Sequence, residues 1–140
     1  MRSILIILFF FNSFFLLVPT GYPEGENKDV EVVFNKMEEG FIKGDISKLE
    51  PYIKDKVFIS LFTGTAGYFS RNHAISLLDD LFTYYKSSGF YYISKKSDTD
   101  TPFASGKFKY FHKGILRNSN VFISLKKQKD NWIISQITID

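Results

Sequence analysis

Asn120-Val121-Phe122-Ile123-Ser124-Leu125-Lys126, followed after a short break by Trp132-Ile133-Ile134-Ser135-Gln136-Ile137, decides how this chain is read. Side chains here alternate with a period of two, and the residues are β-branched or aromatic, which is the signature of strands. Working backwards, the same period holds in Phe103 to Phe111 and in Phe90 to Lys96. The four segments are separated by Asp98-Thr99-Asp100-Thr101-Pro102, by Lys113 to Ser119 and by Lys129-Asp130-Asn131, all rich in turn formers. Four strands in unbroken succession predict an antiparallel meander.

Upstream the period is helical. Val30, Val33, Phe34, Met37 and Phe41 recur at the spacing of one helix face, with Glu31, Lys36, Glu38, Glu39 and Lys43 on the others. Gly44 stands where a helix stops, and Asp45 where a second, short one is capped, with Pro51 limiting its length. Val57 to Phe62 and Tyr68-Phe69 flank the turn Thr63 to Gly67 and predict a hairpin. Ser70 then caps a helix whose apolar stripe is Ala74, Ile75, Leu78, Leu81, Phe82 and Tyr85, ended by Ser87-Ser88-Gly89. One-sided helices must pack on the sheet, so the fold class is α+β, a curved antiparallel sheet with helices covering one face.

The N-terminus has a different character. Met1-Arg2-Ser3 is basic, Ile4 to Val18 is almost wholly apolar, and Pro19-Thr20-Gly21 breaks the run. This layout predicts a cleavable secretory signal peptide over residues 1–20, and hence an exported protein, periplasmic or secreted. Retention of the segment as a membrane anchor is the rival reading. Residues 21–29 read as a flexible leader, and 30–140 as a single domain. With no cysteine in the chain, lipid attachment to an N-terminal cysteine and disulfides are both excluded. Stability must come from the core, which the 16 Phe, 8 Tyr and one Trp supply, less the Phe of the signal segment.

The order of these elements resembles the nuclear transport factor 2-like, or ketosteroid isomerase-like, superfamily, and more closely an uncharacterised secreted bacterial family of unknown function within it. Phe41-Ile42-Lys43-Gly44-Asp45 with Leu49 and Val57, then Tyr68-Phe69-Ser70 running into Ala74, Leu77-Leu78 and Leu81-Phe82, carry the resemblance together with the two C-terminal strands. It spans residues 30–139 and implies a cone-like fold, often with a pocket or a dimer. The superfamily holds enzymes, binders and structural modules, so the fold does not supply a function.

The residues themselves narrow the chemistry. There is no cysteine nucleophile and no Gly-x-Ser-x-Gly elbow. His73 and His112 are far apart in sequence and make no zinc motif, and Asp98-Thr99-Asp100 lacks the glycine and glutamate of a calcium loop. Asp79-Asp80 are adjacent on a helix and diverge, so they form no facing acid–base pair. The strand positions expected to face the helices are Phe90, Tyr92, Phe108, Tyr110, Val121, Ile123 and Leu125, with tyrosines but neither acid nor histidine. His112, at a strand end beside Lys113, is expected to face solvent. No catalytic residue, metal or cofactor is therefore expected.

What remains is aromatic. Tyr52, Phe69, Phe82, Tyr85, Tyr92 and Tyr110 are the candidate lining of a pocket between helices and sheet. The expected function is a non-enzymatic module that binds an apolar or amphipathic small molecule or a partner protein. An isomerase or hydratase, and a structural homodimer joined through the outer sheet face, are the alternatives. Residues 22–94 hold eight basic and eleven acidic side chains, whereas 95–140 hold nine and four. That excess is small and in no nucleic-acid-binding motif, so no nucleic-acid partner is expected.

Overall fold

The structure is a computed structural model that describes residues 24–140, with side-chain environments from residue 29 onwards. The predicted signal peptide, residues 1–20, lies outside the described residues. Helix α1 spans Glu24–Lys43. It begins inside the stretch expected to be a flexible leader, because the apolar repeat that marks a helix only starts at Val30 and a polar first turn carries no such period. None of the described helices is long and apolar enough to cross a membrane.

The end of α1 follows the Gly-Asp reading closely. Gly44 takes a left-handed φ of 62°, and the Asp45 amide donates back to the Gly40 carbonyl at 2.9 Å. This pattern satisfies a terminal carbonyl that the helix leaves open. Ser87 Oγ covers two more, donating to the carbonyls of Phe41 at 2.6 Å and Ile42 at 2.9 Å. The Asp45 carboxylate then caps a 3-10 turn, Ile46–Lys48, by accepting from the Ser47 amide at 3.0 Å. A second 3-10 turn, Glu50–Tyr52, carries Pro51 near its start.

Strands β1 (Val57–Leu61) and β2 (Ala66–Phe69) form the predicted hairpin, and helix α2 covers Arg71–Tyr84. Strands β3 (Lys86–Lys96), β4 (Phe103–His112), β5 (Ile115–Gln128) and β6 (Asn131–Ile139) complete one six-stranded sheet in the order β2-β1-β6-β5-β4-β3. All pairings are antiparallel except β1 with β6. That pair is parallel because α2 and the meander intervene before the chain returns beside β1.

Two boundaries differ from expectation. Ser87-Ser88-Gly89 does not end α2 as a loop; it belongs to β3, which pairs with β4 around a bulge there. The expected connection Lys113 to Ser119 shrinks to the turn Lys113-Gly114, both left-handed with φ of 49° and 74°. Positive φ at both central residues is the geometry that matches the twist of a tight hairpin. Ile115 to Asn118 show no polar–apolar alternation, because the ribbon runs past the core there and its side chains are exposed on both faces.

The core lies between α1, α2 and one face of the sheet. Phe41, fully buried, packs edge-on against Phe82 of α2 at 5.3 Å, stacks on Phe90 of β3 at 4.9 Å and meets Phe108 of β4 edge-on at 5.4 Å between centroids. Gly106 makes room beside it. A Cβ there would stand 2.6 Å from the Tyr91 carbonyl oxygen and 2.8 Å from Phe90 Cζ. Farther along β3, Tyr92 donates its hydroxyl to the Phe34 carbonyl at 2.7 Å, and burial, aided by the charges of Glu38 and Glu31, raises its pKa so that it stays a donor. Glu31 of α1 accepts from Ser97 Oγ at 2.5 Å and pairs with Lys95 Nζ at 2.9 Å, tying the same helix to the far end of β3.

Gly106→Ala should lower stability by about 1–3 kcal/mol, because backbone rather than a yielding side-chain end blocks the new methyl. Gly89→Ala, with no atom within 4 Å of the added carbon, is the control and should sit near zero in the same urea titration. A pH prediction follows from Glu31, whose pKa is held below the ordinary 4.5 foremost by the Ser97 hydroxyl and also by Lys95, against the effect of burial. A depressed carboxyl pKa stabilises the fold above the unfolded value and is lost as pH falls through the folded one. Wild type should exceed Glu31→Gln by less than about 1 kcal/mol at neutral pH, since the pair is partly exposed. That margin should disappear in thermal melts as pH drops below 4.5.

Candidate functional site

The aromatic core continues to the rim of the sheet. Phe108 leans on Tyr110 at 5.2 Å, and Tyr110 stacks on Phe62 at 5.4 Å with the rings nearly parallel. Tyr85 meets Phe62 edge-on at 4.8 Å and stacks on His112 at 4.7 Å. Inward from this rim the space between helices and sheet is occupied by Phe41, Phe82, Phe90, Phe108 and Tyr110, all buried. Outward from it a cleft of about 240 Å³ opens between the β1–β2 hairpin, α2 and the end of β4.

Each wall of this cleft has a local cause. Leu77, Asp80, Leu81 and Tyr84 line it from α2, and their spacing of three and four residues places them on one helix face. Leu61, Thr63 and Thr65 line it from the hairpin, whose turn is closed by the Leu61 amide donating to the Thr65 carbonyl at 2.8 Å. His112 enters from β4 on the same side as Phe108 and Tyr110, two strand residues further on. The walls are mainly leucine and tyrosine. Asp80, His112 and the two threonines are the polar groups that give a bound molecule an orientation.

A second cleft, of about 330 Å³, lies between the start of α1, the Glu50–Tyr52 turn and the β5–β6 connection. It is larger, but Asp29, Lys54, Asp130 and Asn131 make much of its wall polar and solvated. We take the smaller cleft as the candidate site, because apolar walls with a few convergent polar groups retain a ligand better than a wider polar groove.

The six candidate lining residues are distributed as follows. Tyr85 lines the rim cleft and Tyr52 the second one. Phe82 is core, packed on Phe41 and Phe108. Tyr110 is buried with its hydroxyl 3.1 Å from Ser119 Oγ, and Tyr92 is held by the Phe34 carbonyl. Phe69, half-buried on β2, meets the His73 ring edge-on at 4.8 Å. Tyr85, Tyr110 and Phe82 thus share one ring network, Tyr92 joins it through Phe90 at 5.0 Å, and Tyr52 and Phe69 stand apart from it.

The expectation that His112 faces solvent is corrected: it is half-buried, stacked on Tyr85, and lines the same cleft as Asp80. The signal was present in the sequence, since His112 has the parity of Phe108 and Tyr110. Its place at a strand end beside Lys113 points the other way, and the Tyr85 ring packed on it decides the matter. Asp79-Asp80 do diverge, and it is Asp80 alone that lines this cleft. Among the described residues, no three acidic or imidazole side chains gather as a metal would require.

A model of the family described as "Domain of unknown function (DUF4783)" matches residues 34–140. The crystal structure of a DUF4783 family protein from Bacteroides uniformis superposes with a TM-score of 0.69 at 20% identity, covering 76% of this chain and 94% of that one. One from Bacteroides ovatus gives 0.66 at 26% identity, over 75% and 91%. A ketosteroid isomerase-like protein from Erwinia carotovora atroseptica gives 0.65 at 11% identity, over 84% and 96%, a likeness of fold alone. None of the curated proteins matches the chain. The six-stranded curved sheet with helices on one face is the nuclear transport factor 2-like fold, and the chain belongs to the DUF4783 family.

Proposed function

We propose that this protein is an exported, non-enzymatic binding module whose rim cleft holds a small amphipathic molecule. One observation carries the reading: the cleft beside Tyr85 has leucine and tyrosine walls and a few convergent polar groups, while the interior behind it is packed with rings. At about 240 Å³ the cleft suits a ligand the size of a single ring or a short chain. The apolar body would lie on Leu77, Leu81 and Tyr85. A hydroxyl or amine at its other end would meet Asp80, His112 or the threonines. Export follows from the three-part N-terminal segment of residues 1–20.

An isomerase or hydratase is the second reading, and the observation that favours it is that Asp80 and His112 line one cleft. An acid and an imidazole on facing walls are the groups that move a proton in such reactions. The two readings separate by what happens to the bound molecule. A binder releases it unchanged, whereas an enzyme converts it to an isomer, resolved by chromatography, or to a product differing by one water, resolved by mass, and His112→Gln does not.

Native mass spectrometry of the chain isolated from its own host should show a small molecule retained in wild type. Leu77→Trp, which fills the cleft from a half-buried position on α2 outside the buried core, should abolish retention and leave the melting temperature within a few degrees. Retention by Leu77→Trp equal to wild type, or no retained molecule in either, contradicts the proposal.

A further inference from the structure

The β4–β5 hairpin projects past the core, and near its tip only His112, stacked on Tyr85, packs inward. Its last buried side chains are Tyr110 and Ser119; past them come Phe111, 45% exposed, Ile115, 56%, and Leu116, 55%. Phe111 pairs with Leu116, and His112 with Ile115. Neighbouring pairs on a ribbon point to opposite faces, so Leu116 and Ile115 expose apolar surface on the two different sides. A strand that docks on a protein surface presents one apolar face and keeps the other polar. Apolar groups on both faces of a tip suit immersion in an apolar medium.

The charge around the tip is of one sign. Lys109, Lys113 and Arg117 lie on the ribbon itself, all exposed, and Lys86 of β3 pairs with Phe111. From Phe103 to Ser119 the chain has four basic residues, Lys107, Lys109, Lys113 and Arg117, and no acidic one. The neighbouring cleft contributes one carboxylate, Asp80. Two copies of such a tip would repel each other, so like charge opposes self-association here and favours an anionic partner. Phe111, Ile115 and Leu116 beside the turn bring no hydrogen-bonding groups with which to read an acidic protein. Lys109 and Arg117 lie behind these apolar residues, and Lys113 at the turn reaches back to headgroup level along its aliphatic stem, which matches the layering of a bilayer, with headgroups outside acyl chains.

We propose that the β4–β5 hairpin tip is a docking site for a phospholipid surface rich in anionic headgroups, with Ile115 and Leu116 entering the interface and Lys109, Lys113 and Arg117 pairing with phosphates. This is independent of what the rim cleft binds.

The chain has no cysteine, so Ile115→Cys accepts a single polarity-sensitive fluorophore that reports the tip and not the N-terminal segment. Ser76→Cys, exposed on α2, is the control position. On vesicles of phosphatidylcholine with one-quarter phosphatidylglycerol, the label at residue 115 should shift to the blue, the label at residue 76 should not, and pure phosphatidylcholine should give little change. Reversing two charges, Lys113→Glu with Arg117→Glu, should weaken the apparent affinity about tenfold or more, since each basic residue contributes roughly fivefold near an anionic surface. Raised salt should weaken it in the same direction. The proposal is overturned by no shift at residue 115, by equal shifts on neutral and anionic vesicles, or by binding that survives the double charge reversal. A concentration-dependent blue shift without vesicles also overturns it, because the tip would then be covered by a second copy.

Discussion

The ring of Phe41 is the contact on which the other elements depend. It is the point at which α1, α2, β3 and β4 meet, through Phe82, Phe90 and Phe108. Aromatic pairs in edge-on and offset arrangements add about 0.5–1.5 kcal/mol each beyond the area they bury. The surrounding backbone is arranged to permit this. Gly44 ends α1 directly after the turn that carries Phe41, Ser87 covers the carbonyls left open there, and Gly106 leaves space for Phe90 to lie across β4. With no disulfide available, this cluster takes the place of a covalent staple.

Filling the interior has a consequence for chemistry. A sheet that curves around helices can leave a deep cavity between the layers, as a ligand site or an active site. Here the rings occupy that space, and Asp80 and His112, the latter stacked on Tyr85, stand among the residues that line the cleft at the rim. The ring network links the two regions without a break, from Phe41 through Phe108 and Tyr110 to Tyr85 and His112. A ligand seated at the rim therefore rests on the core itself, a rigid floor rather than a mobile loop.

The fold was legible in the sequence because its strongest signals are local. Val30 to Phe41 and Ala74 to Phe82 carry a helical period, and Phe90 to Lys96, Phe103 to Phe111, Asn120 to Lys126 and Trp132 to Ile137 carry a period of two, so class and element order are read directly. The tip of the β4–β5 hairpin was not legible: Ile115 to Asn118 pack against no core, and without burial there is no alternation to detect. The site was harder still. Tyr92 and Tyr110 look alike in sequence as inward-facing tyrosines, yet each spends its hydroxyl on a partner inside the fold. His112 stands at a strand end with the inward parity of Phe108 and Tyr110, and Tyr85 stacked on it gives that inward face something to pack against. Which aromatic is floor and which is wall depends on distances between elements remote in the chain, and no local pattern records them.

The claim that holds these points together is that the space between helices and sheet is packed solid around Phe41. Urea denaturation of Phe41→Ala measures it most directly. A fully buried ring removed from a packed site should cost about 3–5 kcal/mol, enough to leave the protein marginal or unfolded. A loss of less than about 1 kcal/mol would mean that the neighbouring rings close over the gap or were never tightly packed. It would contradict both the filled interior and the placement of the site at the rim.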